Sequence, residues 1–113
     1  MIQKVTHVAL FVRNQEEARD WYIEKLGFVV RSDEPFPDNP DYRWITVAPP
    51  TQTELEIILQ PPEWGPEEED IDRLALVGQA PGFVMMTDDC RRDYEELSAR
   101  GVQFVGEPME VGW

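Results

Sequence analysis

The chain's single histidine, His7, is the clearest candidate for chemistry. An imidazole titrates near neutral pH, so it can take up or release a proton in a reaction. His7 stands in the apolar run Val5-Thr6-His7-Val8-Ala9-Leu10-Phe11-Val12, where a neutral histidine bonded to a neighbour is the plainer role. A similar run, Phe83-Val84-Met85-Met86-Thr87, occurs later, and aligning Val8-Ala9 with Val84-Met85 sets Phe83 against His7. Whatever His7 does is therefore not duplicated in the second run. The one cysteine, Cys90, excludes an intramolecular disulfide, and its place in a helical stripe with Tyr94 and Leu97 predicts a buried structural thiol. The acidic run Glu67-Glu68-Glu69-Asp70 reads as a solvated face.

The elements that must position these residues follow from their periodicity. Residues 3–12 alternate as a strand, with Val5, His7, Ala9 and Phe11 on one face and Val8, Leu10 and Val12 on the other. Asn14 is a good N-cap with Glu17 at its N3 position. Ala18, Trp21, Tyr22 and Leu26 then recur at helical spacing, and Gly27 can close the helix in the left-handed conformation. A second strand is expected over 28–32, a turn-rich loop over 33–41 with Pro35, Pro37 and Pro40, and a third strand over 42–48. The third strand puts Tyr42, Trp44 and Thr46 on one face. In a fourth, over 54–60, Leu55, Ile57 and Leu59 alternate with Glu54, Glu56, Ile58 and Gln60.

Residues 61–80 read as an acidic connector with a short amphipathic helix through Ile71, Leu74 and Ala75. From residue 81 the first pattern restarts. A strand is expected at 83–87, a helix from the N-cap Asp89 to Gly101 with the stripe Cys90, Tyr94 and Leu97, and a strand at 102–105. Two strands of the first copy have no counterpart in the second. If the helices pack on Val8, Leu10, Val12, Leu55, Ile57, Leu59, Val84 and Met86, the opposite faces present Val5, His7, Ala9, Phe11, Trp44, Thr46, Glu56, Ile58, Phe83, Met85 and Thr87. That lining is apolar and aromatic with a few polar groups, as expected of a pocket for a small organic molecule.

Length and charge bound the partners. At 113 residues the chain is expected to form one domain with its own core. Ten basic and 23 acidic residues give a formal charge of −13, which repels nucleic acid and anionic membrane surfaces. No apolar run reaches the roughly 18 residues of a membrane span, and the first residues lack a signal-peptide core. The expected address is cytoplasmic.

Two strand-helix-strand-strand-strand units, with His7 on the first strand and Trp21-Tyr22-Ile23-Glu24-Lys25-Leu26-Gly27-Phe28 closing the first helix, resemble the vicinal oxygen chelate superfamily. Its members include glyoxalase I, bleomycin-resistance proteins, fosfomycin-resistance enzymes and extradiol dioxygenases. Further carriers are Leu55-Glu56-Ile57-Ile58-Leu59 and Tyr94-Glu95-Glu96-Leu97-Ser98-Ala99-Arg100-Gly101. The resemblance implies an α+β fold of two tandem βαβββ modules around a cavity. Residues 1–60 match the first module and 81–113 a second one truncated after its second strand, within a single domain over 1–113.

In enzymes of that superfamily a divalent metal sits in the cavity and acts as a Lewis acid on a chelated substrate. Carried across, the first metal ligand matches His7 and the fourth-strand ligand matches Glu56, or Ile58 in a register displaced by two. The third falls on Phe83, which cannot coordinate, and the fourth lies past Trp113. Met85 and Met86 are weak, soft substitutes. At best two of the four ligands survive, His7 and Glu56, which are also the catalytic candidates, and two do not make a tight site for the divalent metal that the resemblance implies.

Two functions follow. The first is a bleomycin-resistance-like protein that binds a small organic molecule without a complete metal site, using His7, Phe11, Trp44, Thr46, Glu56, Ile58, Phe83 and Met85. The second is a metal-dependent lyase of the glyoxalase type or an extradiol-type dioxygenase. The shortened second unit leaves an unpaired sheet edge. Either a homodimer covers it, or the natural chain continues past Trp113.

Overall fold

The computed structural model describes residues 1–38, 41–64, 72–79 and 82–110. The first strand, β1, spans His7–Phe11 and leads into helix α1, Gln15–Leu26. Asn14 caps that helix: its backbone is extended, and its side chain accepts the Glu17 N–H at 2.9 Å. Glu16 and Glu17 in the first turn and Lys25 in the last complement the helix dipole. Gly27 ends the helix at φ 70°, donating its N–H to the Ile23 carbonyl. Three strands follow: β2, Val29–Pro35, β3, Arg43–Ala48, and β4, Glu56–Gln60.

These four strands form one sheet in the order β1-β4-β3-β2. The strand made last enters the middle, where β4 runs parallel to β1 and antiparallel to β3. Ile45, Val47 and Leu59 are fully buried, joined by Val12, Phe28, Ala48 and Ile57, and α1 packs against β2, β3 and β4. Burying each of the larger side chains stabilises the fold by roughly 1.5–3 kcal/mol. The helix stripe is less buried than its spacing predicts. Trp21 is 40% exposed, while Tyr22 turns its ring to Phe28 at 5.4 Å.

β2 continues three residues into the stretch where the prolines predict a loop. Pro35 ends an edge strand, where its missing N–H removes no bond from a second neighbour. Asp33 also ties β2 to its neighbours, accepting from Arg43 Nε at 2.5 Å and from Arg19 Nη1 of α1 at 3.0 Å. Between Val30 and Ser32 the register shifts by one residue. The bulged residue, Arg31, spends its guanidinium on the carbonyls of Pro49, Pro50 and Gln52, closing the loop after β3.

The ladder between β3 and β4 holds two registered pairs, Thr46 with Ile58 and Val47 with Ile57. Beyond them the side chain of Gln15 stands between the strands. Its amide nitrogen donates to the carbonyls of Arg43 at 2.6 Å and Leu59 at 2.9 Å, and its oxygen accepts the Arg43 N–H at 3.3 Å. One side chain from the first turn of α1 thus satisfies backbone groups on two strands.

In the connector, the expected helix is a single 3₁₀ turn at Leu74–Leu76, while Ile71 lies outside the described residues. Arg73 Nε fastens this segment to the Pro62 carbonyl at 2.7 Å.

The chain divides into two compact units between Gly82 and Phe83. Within the second, among the described residues, the one regular element is helix α2, Cys90–Ala99. Asp89 caps it by accepting the Arg92 N–H at 2.9 Å, and Gly101 follows it at φ 94°. The strands expected at 83–87 and 102–105 do not form: both segments lie outside any β-ladder. Alternating apolar residues give β-propensity, but a strand exists only with a partner to pair with. Val84 and Met86, expected beneath a helix, are fully exposed. Cys90, expected to be a buried thiol, is exposed at the first helical position. The part of the stripe that packs is Tyr94, whose ring meets Phe104 edge-on at 4.9 Å. No helix among the described residues is long and apolar enough to cross a membrane.

Candidate functional site

The parallel pairing of β1 with β4 sets His7 beside Glu56, Ala9 beside Ile58 and Phe11 beside Gln60. The antiparallel pairing of β3 with β4 then puts Thr46 beside Ile58. Because side chains alternate, His7, Phe11, Trp44, Thr46, Glu56 and Ile58 share the sheet face opposite α1. The His7 Nε2 and Glu56 Oε2 atoms are 3.7 Å apart, with side chains 33% and 27% exposed. Trp44 lies against the histidine, its ring centroid 5.7 Å from the imidazole and tilted by 52°.

Each member of the polar pair has a second attachment. Thr6 Oγ1 is 2.9 Å from His7 Nδ1. Thr46 is fully buried, and its hydroxyl donates to Glu56 Oε1 at 2.5 Å. Thr46 therefore supports the carboxylate from below and offers no surface to a ligand. Trp44 and Ile58 are half-buried beside the pair, and Phe11, also half-buried, lies further along β1 opposite Gln60. At the end of the same face Gln60 Nε2 donates to the Trp64 carbonyl, and the Trp64 ring meets Phe36 at 5.0 Å and Tyr42 at 6.1 Å, both edge-on.

The remaining two candidates belong to the second unit. Phe83 is half-buried and Met85 is 56% exposed, both outside any strand. The sequence pattern found Trp44 and Glu56 through alternation but missed Gln15, Thr6 and Trp64. Gln15 looked like any polar residue in a first helical turn, and nothing local tells that its amide spans two strands. Thr6 is visible as the neighbour of His7, a signal that alternation discards.

A divalent centre needs three or four converging ligands. His7 Nε2 and Glu56 Oε2 converge, but Glu56 Oε1 already accepts a hydrogen bond from the Thr46 hydroxyl, and Trp44, Phe11 and Ile58 cannot coordinate. Among the described residues no group of three or more His, Cys, Asp or Glu side chains is placed to hold a metal ion. The donor set among the described residues does not by itself fit a divalent centre.

This arrangement, a βαβββ unit whose sheet carries a histidine and a carboxylate on adjacent strands, has a family counterpart. The family model of the Glyoxalase/Bleomycin resistance protein/Dioxygenase superfamily matches residues 4–113, and the chain belongs to that superfamily. It is similar to the crystal structure of UcmS2, with 34% identity and a TM-score of 0.82 over 100% of this chain and 86% of that one. It is also similar to TnmS3, an antibiotic binding protein from Streptomyces sp. CB03234, with 30% identity and a TM-score of 0.75 over 99% of this chain and 81% of that one. Among curated relatives, the uncharacterized protein YurT of Bacillus subtilis (strain 168) is 32% identical over 96% of this chain and 84% of its own length.

Proposed function

We propose that the protein binds a small, planar or amphipathic organic molecule against the face built by His7, Phe11, Trp44, Glu56 and Ile58, without a complete metal centre of its own. The observation that carries this reading is the setting of the His7–Glu56 pair. It is anchored from behind by Thr6 and Thr46 and flanked by half-buried aromatic and aliphatic side chains instead of further ligands. The likeness to an antibiotic binding protein supports the same class of ligand. In this reading residues 61–80 are a connector and 81–113 belong to a second module of the same domain. The protein works as a cytoplasmic homodimer.

The competing reading, a metal-dependent lyase or dioxygenase, draws on the approach of His7 Nε2 to Glu56 Oε2. A titration separates the two. Bleomycin and a panel of planar polycyclic antibiotics are added while tryptophan fluorescence is followed, in wild type and in Trp44→Phe. Saturable quenching that depends on Trp44 and survives exhaustive dialysis against chelator is the expected result. Binding or turnover that disappears with chelator and returns with stoichiometric Ni, Zn, Mn or Fe would overturn the metal-independent reading. Light scattering on the eluted protein checks the homodimer, with twice the 13.1 kDa chain mass expected.

A further inference from the structure

We infer that the ligand of this face is an aromatic alcohol or phenol, whose hydroxyl bridges His7 and Glu56 while its ring lies against Trp44. The inference rests on the small-molecule reading above and gives its ligand a chemical class. The two side chains approach without bonding: 3.7 Å between His7 Nε2 and Glu56 Oε2 exceeds the reach of a hydrogen bond. Each atom therefore keeps unused hydrogen-bonding capacity, and the two side chains are 33% and 27% exposed.

The anchors behind the pair define that capacity. A hydrogen on His7 Nε2 faces a carboxylate oxygen, whereas a lone pair there would face another lone pair, so Nε2 carries the proton. The other ring nitrogen, Nδ1, is occupied by Thr6 Oγ1, 2.9 Å away. Glu56 Oε1 is occupied by the buried Thr46 hydroxyl, which leaves Oε2, on the His7 side, as the acceptor. The face thus presents one donor and one acceptor 3.7 Å apart, close enough for a single oxygen to reach both at ordinary hydrogen-bond lengths.

A hydroxyl is the simplest group that donates and accepts through one atom. An ether can only accept, and would set its lone pairs against Oε2. An alkyl or aryl hydrogen would leave both polar atoms unpaired once water is displaced, and that penalty makes such sites discriminate strongly. The Trp44 ring, 5.7 Å from the imidazole, gives the carrier of the hydroxyl an aromatic neighbour. Thr46 acts as a positioning residue, because it fixes which carboxylate oxygen faces His7.

The test uses the full-length chain and three probes of one shape: 2-naphthol, 2-methoxynaphthalene and naphthalene, titrated by calorimetry at pH 7. The expected result is 2-naphthol binding at least about tenfold more tightly than either analogue, a ratio equivalent to the loss of one or two well-made hydrogen bonds. Glu56→Gln and Thr46→Val should shrink that ratio while naphthalene affinity changes little, and Thr46→Ser should restore it. Structural loosening alone would weaken all three probes together. Equal affinity for the naphthol and its methyl ether overturns the hydroxyl bridge and leaves the small-molecule reading standing. Failure of all three to bind, in a protein that binds other planar antibiotics, confines the overturn to the ligand class proposed here. Failure of every aromatic ligand overturns both.

Discussion

A hydroxyl group with no exposure to water holds the carboxylate of the candidate site. Thr46 is fully buried, yet its single donor goes to Glu56, whose other oxygen faces His7. Replacing it with valine keeps the shape and removes the donor, so Thr46→Val should lower stability by about 1–2 kcal/mol, less than a sealed charge would lose because Glu56 can recruit water. Urea unfolding followed by tryptophan fluorescence measures this. Asp33 makes a prediction of a different kind. The hydrogen bond from Arg43 Nε, reinforced by Arg19 and opposed by burial, holds its carboxyl below the usual range. A folded pKa below the unfolded one means stabilisation that is complete above about pH 4 and fades as acid carries the pH down through the folded value. The stability gap between wild type and Asp33→Asn should be flat near neutrality and close below about pH 4. A gap unchanged at pH 2 would contradict the ion-pair assignment. At this scale alternation placed His7, Trp44 and Glu56 on one face, since a period of two is a property of the local chain. It could not reveal that Thr46 is a buried support, because depth depends on what lies above a residue.

At the scale of elements, the caps behave as local chemistry dictates: Asn14, Gly27 and Asp89 were all legible, because a cap is decided within four residues. The misread parts depend on distant partners. β2 runs on to Pro35 through its pairing with β3, and the segments at 83–87 and 102–105 have strand-like sequences without ladders. Gln15 joins these lessons, as a helix residue whose three bonds are made to β3 and β4. Gln15→Ala strips partners from the Arg43 N–H and the carbonyls of Arg43 and Leu59, and should cost about 2–3 kcal/mol, since water replaces some of what is lost. Gln15→Glu should be no better at neutral pH, because an ionised carboxylate cannot donate to two carbonyls. Its partial recovery at pH 4, read from thermal midpoints, would confirm that donation is what the position requires.

For the whole molecule, a formal charge of −13 sets self-repulsion against the ion pairs. Exposed pairs such as Arg92 with Asp88 contribute little and weaken with salt, whereas screening relieves repulsion among all 23 acidic groups. The repulsion should dominate, so the melting temperature should rise by several degrees between 10 and 300 mM NaCl, in about the range expected for a gain of 1 kcal/mol. A fall would show that the ion pairs dominate. Charge and family membership were readable from composition and motif order, while the state of the second unit was not, because its strand-like segments need neighbours that no sequence window contains. The sheet order carries one more consequence. β4 enters between β1 and β3, so His7 and Glu56, at opposite ends of the first module in sequence, become neighbours only when that central slot is filled. Such closure is a long-range event and slows folding relative to local helix formation. On a ribosome the site has no existence until residue 60 has emerged, and a refolding chain that already contains α1 is still blind to ligand. Ligand binding should therefore appear in refolding kinetics with the slowest native phase, after helical signal has returned.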